Sequence, residues 1–491
     1  MLVAVGAALR FGSLGHSFFL DEAFTVKAVD RSFGAMLDAI GRQESTPPLY
    51  YVIAWGWRHL FGTGEWGLRS LSALIGTAAI PVTFAAARHL AGARAAVIAA
   101  GLVACNPLLV WYSQQARAYS LLVLIGGVTV LLFARAWENP SAGRLAAWSA
   151  ACALAVLTHY FAVFLVIAEA LTLWVLLSRQ RRTVVLALSG IGVVALPLAA
   201  LAVTQQSGLR AAWIGAIPLW DRVESVALEI ASANVLMARL GVSARTGLAA
   251  VAVIALVWAT IAVVLRRLDS RERATALVAT AVGAVAILLP LTLALAGFDF
   301  FLDRNLIAAW VPLAIGLGVV LGARRAGAWG AATAVALCVA AVATTLQASA
   351  YASPERVDWR AISAALGRPA SPRVIVMYPR YISAPLSVYG QRLSNCPREL
   401  RVAELWLVEA VHTATLPRPP GFHPVSADRI GPISISRFIA RPPVRTRRRQ
   451  LARGIRPPSS VPPGQRQLGT QRKADVACQE PVAPGDSERG G

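Results

Sequence analysis

Charge is scarce in this chain. Only 15% of its 491 residues are Asp, Glu, Lys or Arg, against ~25% in an average soluble domain. Lysine is nearly absent: of 47 basic residues only Lys27 and Lys473 are lysines. Cysteine is also sparse, with Cys105, Cys152 and Cys338 in apolar segments, Cys396 in a later polar region and Cys478 near the end. No C-x-x-C and no Cys/His spacing occurs, so neither a zinc site nor a disulfide framework is indicated. The shortage of charge excludes an ordinary soluble protein. Apolar residues take its place, at 56% of the chain with a mean hydropathy of +0.58. At ~20 apolar residues per crossing, that allows roughly ten membrane spans with loops to spare.

The net charge of +22 and pI near 11.2 would ordinarily raise nucleic acid as a partner. Where the arginines sit removes that reading. Apolar stretches long enough to cross lie at 66–87, 94–111, 117–135, 145–159, 160–177, 183–203, 245–265, 274–296, 305–322 and 327–346. Basic clusters fall in alternate gaps: Arg88 and Arg94, Arg135 and Arg144, Arg179 with Arg181 and Arg182, Arg266 with Arg267, Arg271 and Arg273, and Arg324 with Arg325. The positive-inside rule makes those loops cytoplasmic. Residues 16–65, 111–117, 158–160, 204–244 and 297–305, and the chain after about 350, then face outward. The run Met1–Leu9 is apolar, but nine residues cover less than half of a ~30 Å core. A full first helix is expected to begin upstream, which makes eleven spans with the amino terminus inside.

The organisation expected is a membrane domain over 1–349 whose first outer loop, 16–65, carries the chemistry. A small extracytoplasmic α/β cap follows over 350–440, with a strand-like Val374-Ile375-Val376-Met377. Residues 441–491 are rich in Pro, Arg, Gln and Gly, lack apolar periodicity and read as a disordered basic tail.

The outer loops hold the polar residues worth attention. Asp21-Glu22 sits among Phe18, Phe19 and Phe24, and Glu44-Ser45-Thr46-Pro47-Pro48-Leu49-Tyr50-Tyr51 follows. The apolar stretch Pro47–Leu60 would invert every later loop if it crossed, so it belongs in the outer interface. Asp21 has two readings: a helix N-cap with Glu22 in the first turn, or a base for an acceptor hydroxyl. Tyr112-Ser113-Gln114-Gln115-Ala116-Arg117-Ala118-Tyr119, Thr158-His159-Tyr160 and Asp303-Arg304-Asn305 reach the same face. Each alone reads as an interfacial anchor. Two carboxylates and two arginines on one side instead suggest a site for an anionic, lipid-linked substrate, since the planar guanidinium fork suits phosphate. A transporter or lipid flippase is the alternative, but it calls for ionisable residues along a midplane pathway.

In their order, Asp21-Glu22, Pro47-Pro48-Leu49-Tyr50-Tyr51 and the Tyr112–Tyr119 run resemble the bacterial family 39 glycosyltransferases. These are GT-C enzymes, with protein O-mannosyltransferases and the lipid A aminoarabinose transferase as relatives. The resemblance spans residues 1–440, is strongest in the first 165, and includes Asp358-Trp359-Arg360, a recurrent start of the outer cap. It implies an all-α polytopic GT-C fold with an α/β cap, in the plasma membrane. It also implies inverting transfer of a sugar from a polyprenyl-phosphate donor to a protein, lipid or glycan on the outer face, with no nucleic acid involved. Asp21 would be the base with Glu22 beside it. Arg117 and Arg304 would lie near the donor, with Tyr112, Gln115, Tyr50 and His159 lining the site. Thr46 stands where relatives have His or Lys, so Arg42 or Arg58 would substitute at the phosphate, and Asn305 replaces a usual tyrosine. No cofactor is required by this chemistry; Asp21, Glu22 and His159 are the candidate ligands for a divalent cation.

The topology is directly testable. A cysteine placed within 210–220 should be labelled from outside the cell, and one within 268–272 only after permeabilisation; the reverse pattern would remove the common outer face.

Overall fold

The computed structural model describes residues 1–206, 214–230, 268–350, 357–378, 382–410, 420–454 and 474–480. The expected span at 245–265 lies outside the described residues. The chain forms two compact units, residues 1–14 with 28–351 and residues 15–27 with 352–491. The start of the first outer loop thus belongs with the C-terminal unit rather than with the membrane domain expected over 1–349.

The first unit is helical, and the protein is a multi-pass membrane protein. Among the described residues six helices are long and apolar enough to cross, at Glu65–Ala91 (α5), Tyr119–Glu138 (α8), Ser178–Gln205, Ser270–Leu295 (α13), Asp303–Gly322 and Arg324–Gln347. A seventh crossing is a bent pair, Ala93–Cys105 (α6) and Pro107–Ser113 (α7), which turn by 56°. The bend has a local cause. Pro107 pushes Asn106 out of the helical region, and the Asn106 side chain then accepts the Leu109 N–H at 2.9 Å to start a new helix. Shorter apolar helices at Leu2–Phe11 (α1), Ala142–Thr158 (α9) and Ala162–Leu176 (α10) complete the described set. The helix over the expected interfacial stretch, Leu49–Phe61 (α4), has 13 residues. At ~1.5 Å per residue it is too short to cross.

Small residues bring these helices together, as expected where lipid offers no hydrophobic drive for association. A Cβ on Gly318 would meet the Ala95 carbonyl at 2.7 Å, and one on Gly322 the Ala95 amide at 2.8 Å. That places the helix Trp310–Gly322 (α14) directly on the backbone of α6. Charge inside the bundle is compensated where it occurs. Arg10, 1% exposed, donates from Nη1 to the Gly6 and Ala104 carbonyls and from Nη2 to Val103, at 2.9 to 3.0 Å. It thereby caps the end of α6. Glu169, fully buried on α10, accepts the Trp148 indole N–H at 2.7 Å and lies 2.9 Å from the Thr129 hydroxyl. One carboxyl therefore ties α8, α9 and α10.

The second unit is the expected α/β cap, but it extends further than 350–440. Its mixed sheet runs β2-β6-β1-β3-β5-β4. The strands are β1 Arg373–Tyr378, β2 Ser394–Asn395, β3 Glu399–Ala410, β4 His423–Ile430, β5 Ile433–Arg447 and β6 Asp475–Gln479. β1 pairs parallel with β3 and antiparallel with β6. Alternate residues face opposite sides: Ile375 and Met377 pack with Trp359, Ile362 and Val408, while Val374 and Val376 pack with Leu405, Phe438 and Val476.

Two expectations are corrected here. Residues 441–491 are not wholly a disordered tail, because β5 runs to Arg447 and Val476-Ala477-Cys478 is a buried strand beside β1. A five-residue strand is too short to show as periodicity in a Pro-rich stretch. Cysteine is informative after all, since Cys396 and Cys478, 82 residues apart, form a disulfide joining β2 to β6.

Closing so long a loop should stabilise the cap by about 4 kcal/mol through the unfolded chain. Reduction, or Cys478→Ser, should therefore lower its thermal unfolding midpoint in a purified full-length sample. Coincident melts with and without reductant would rule this out.

Candidate active site

In the first unit, five chain segments at helix ends come together. Glu44 ends the helix Phe33–Gln43 (α3). Pro47-Pro48 then hold the chain out of helix until Leu49, so Tyr50 and Tyr51 enter in the first turn of α4, each 1% exposed. The turn between α7 and α8 delivers Arg117. Its Nη1 donates to the Tyr51 hydroxyl at 2.9 Å and to the Glu44 carboxylate oxygens at 3.3 and 3.4 Å. The Tyr51 hydroxyl also lies 3.2 Å from that of Thr46. Burial pushes the Tyr51 phenol above its usual range despite the nearby guanidinium, so it stays protonated.

The same segment is held from outside the cluster. Gln205, at the end of the helix Arg181–Gln206 (α11), donates to the carbonyls of Ile40 and Thr46 at 3.0 and 3.4 Å. Its own carbonyl accepts the Tyr160 hydroxyl at 2.8 Å. Tyr50 is tied to Ser72 at 2.9 Å, and Ser72 to the Arg117 carbonyl at 3.4 Å.

His159 is the single extended residue after α9, and it is buried. Its ring lies 5.5 Å from Tyr119 and 5.2 Å from Phe161, whose ring in turn meets Phe300 at 5.8 Å. Tyr112 packs on Tyr119 at 4.6 Å. Nδ1 of His159 accepts the Phe161 N–H at 3.3 Å, which places the single ring proton on Nε2. Burial, reinforced by the positive charges of Arg117 and then Arg304, holds His159 down to about 3.

Arg304 sits half-buried on the 3-10 helix Asp303–Ala309. The preceding loop is fixed by Arg222, which grips both Asp299 carboxylate oxygens at 2.6 Å and donates to the carbonyls of Phe301 at 2.7 Å and Ile217 at 3.1 Å. That pairing holds the Asp299 carboxyl below its usual value. Asn305, in the place of a tyrosine, donates to the Phe300 carbonyl at 2.8 Å. Its role is to shape the loop.

In the second unit, Asp21 and Glu22 lie in the first turn of the helix Leu20–Val29 (α2). Their environments differ. Glu22 is 1% exposed and accepts the Phe19 N–H at 2.8 Å, the return half of a capping box. Asp21 is half-buried. Glu22 thus takes the capping role that the sequence left open for Asp21.

Arg117, Arg304, His159, Tyr112 and Tyr50 all fall in the cluster or against it. Gln115 is half-buried in the turn, while its neighbour Gln114 is the one anchored, to the Leu9 carbonyl at 2.8 Å. Arg42 and Arg58, the expected substitutes at the Thr46 position, are engaged elsewhere, with Asp38 and Asp30 respectively. Among the described residues no group of three or more His, Cys, Asp or Glu gathers as metal ligands. Sequence reasoning missed Glu44, Gln205 and Arg222. Glu44 was legible as the carboxylate just before Pro47-Pro48, whereas nothing local marks the other two.

Residues 45–204 match the dolichyl-phosphate-mannose-protein mannosyltransferase family. The matched stretch holds Tyr51, Arg117 and His159, and it ends one residue before Gln205. Asp21, Glu22, Glu44 and Arg304 lie outside it. Among solved structures the chain is similar to ArnT from Cupriavidus metallidurans in the apo state (16% identity, 89% of this chain and 97% of that one, TM-score 0.41). It is similar to the same protein bound to undecaprenyl phosphate (17% identity, the same coverages, TM-score 0.40). It is also similar to the oligosaccharyltransferase AglB from Archaeoglobus fulgidus in complex with an inhibitory peptide and a dolichol-phosphate (14% identity, 74% of this chain and 56% of that one, TM-score 0.41). No curated protein matches the chain.

Because His159 is near 6.5 when unfolded and about 3 when folded, the unfolded state takes up its proton first as pH falls. Stability is then complete above about pH 7 and declines below it, by on the order of 2 kcal/mol at pH 5. His159→Asn should flatten the fall in melting temperature between pH 7 and 5; an equal fall in both proteins would show that His159 is not the group responsible.

Proposed function

We propose that the protein is a plasma-membrane glycosyltransferase that moves a sugar from a polyprenyl-phosphate donor to a hydroxyl acceptor on the extracytoplasmic face. The observation that carries the reading is the buried Arg117, held at a cluster of helix ends by the Tyr51 hydroxyl and the Glu44 carboxylate. Two guanidiniums at an outer helix-end cluster suit a phosphate that is anchored in the membrane by its own tail. The outward side is supported by the Cys396–Cys478 disulfide, a bond that persists in oxidising compartments, and by the arginine clusters of the opposite loops.

The chemistry balances without a redox partner. The acceptor oxygen attacks the anomeric carbon as the carbon–oxygen bond to phosphate breaks, and the anomeric centre inverts. The acceptor proton passes to Asp21, and polyprenyl phosphate departs with the bonding electrons. Negative charge grows on the leaving phosphate while the sugar becomes oxocarbenium-like. Arg304 and Arg117 stabilise that charge where it develops. Glu44 and Tyr51 fix the direction of Arg117, and neutral His159 adds no third positive charge. Glu22, engaged at the Phe19 amide, supports the helix rather than the proton transfer.

Asp21→Asn should abolish sugar transfer from polyprenyl-phosphate donors in membranes while the protein remains inserted, and Glu22→Gln should retain more transfer than Asp21→Asn. Arg304→Ala should raise KM for the donor at least about tenfold. Unimpaired transfer by Asp21→Asn, assayed by mass spectrometry of the glycosylated product, would refute its role as base.

A further inference from the structure

The motif Asp358-Trp359-Arg360 has no part in the chemistry above, yet it makes contacts more than 340 residues away in sequence. Asp358 caps the helix Trp359–Leu366 (α16), accepting the Ala361 N–H at 3.1 Å. The same Oδ1 accepts the Ser17 hydroxyl at 3.1 Å. The Ser17 oxygen in turn accepts the Arg360 N–H at 3.4 Å, so a distant serine satisfies a second amide of the α16 first turn. The Arg360 side chain donates from Nη2 to the Gly15 carbonyl at 2.7 Å. One residue further on, the Phe18 N–H donates to the Tyr389 hydroxyl at 2.6 Å, and the Tyr389 carbonyl accepts the Ser363 hydroxyl of α16 at 2.7 Å.

From Gly15 to Phe18 the segment is therefore gripped at three successive points, and Phe19 is gripped by Glu22. Asp21 follows within one turn of helix. The grip has a rigid base, because Trp359 is buried against the sheet with Ile362, Ile375, Met377 and Val408. All of these residues belong to the same compact unit.

We infer that Asp358-Trp359-Arg360 is a clamp that sets the position of Asp21, with Ser17, Asp358 and Arg360 acting as positioning residues for the proton-accepting step. This rests on the reading of Asp21 as base. A general base must stand within hydrogen-bond reach of its proton, and a displacement of about 1 Å costs on the order of a hundredfold in rate. A chain segment lacking helical bonds does not hold that tolerance by itself. Here the cap supplies the missing constraint, which gives a domain remote in sequence a direct hold on the catalytic carboxylate.

The test uses the full-length purified protein and two variants, Arg360→Ala and the milder Ser17→Ala. Hydrogen–deuterium exchange should rise in peptides covering 12–24 in both, while peptides of β1 and β3 stay protected and the Cys396–Cys478 bond stays closed to thiol reagents. In turnover, kcat should fall about tenfold or more in Arg360→Ala, with binding of undecaprenyl phosphate within about twofold of the parent protein. Arg360→Lys, which keeps a donor for the Gly15 carbonyl, should recover part of the loss. Unchanged exchange at 12–24 in Arg360→Ala overturns the clamp, and so does equal loosening of the sheet, which would mark a general folding defect. A fall in undecaprenyl phosphate binding with kcat intact overturns it as well. Transfer that survives Asp21→Asn fails the base assignment instead, so the two readings fail on different results.

Discussion

A guanidinium removed from water has to be compensated on the spot, and Arg117 is compensated by Glu44. Much of the cluster around it follows from that pair. Glu44 is available because α3 ends there; the two prolines then restart the chain so that Tyr51 adds its hydroxyl to the same nitrogen. Gln205 secures both sides of the turn between α3 and α4, donating to the carbonyl of Ile40 in the last turns of α3 and to that of Thr46 beyond it. His159 stays neutral chiefly because it is buried, with the positive charge of Arg117 adding to the effect. Removing one partner of such a pair leaves the other charge buried and uncompensated, which is strongly destabilising.

Much of the fold was legible because the bilayer imposes a coarse rule. A backbone in hydrocarbon must satisfy itself, so apolar length translates into helix. The helices α5, α8, α11, α13 and α14 lie where hydropathy put them. The expectation that residues 441–491 are disordered failed at β6, because a short edge-seeking strand has no period of its own and is defined by the neighbour it finds. The Cys396–Cys478 bond was invisible for the same reason: two cysteines 82 residues apart become a pair only when the sheet brings β2 beside β6.

The site shows the same division. Arg117 and His159 stand out in the sequence because charge or imidazole at the end of an apolar helix is costly without a partner, and both side chains are buried in the structure. Glu22 was harder, since two adjacent carboxylates look alike in sequence and separate only when one is spent on the Phe19 amide. Arg222 was out of reach: its four contacts are to Asp299 and to two backbone carbonyls, and a carbonyl carries no sequence signature.

Glu169 bears on the choice between an enzyme and a transporter. It is an ionisable residue in the middle of a helix that spans the bundle, the kind of group that would mark a transport pathway. Its carboxyl, however, is engaged by Trp148, Thr129 and Cys152 from two neighbouring helices, and it is fully buried. A relay must exchange partners during its cycle, whereas a carboxyl bound by an indole, a hydroxyl and a thiol holds three helices in register. That makes Glu169 a pin in the helical scaffold. The charged groups gathered at the helix ends, Arg117 with Glu44, are not part of that pin.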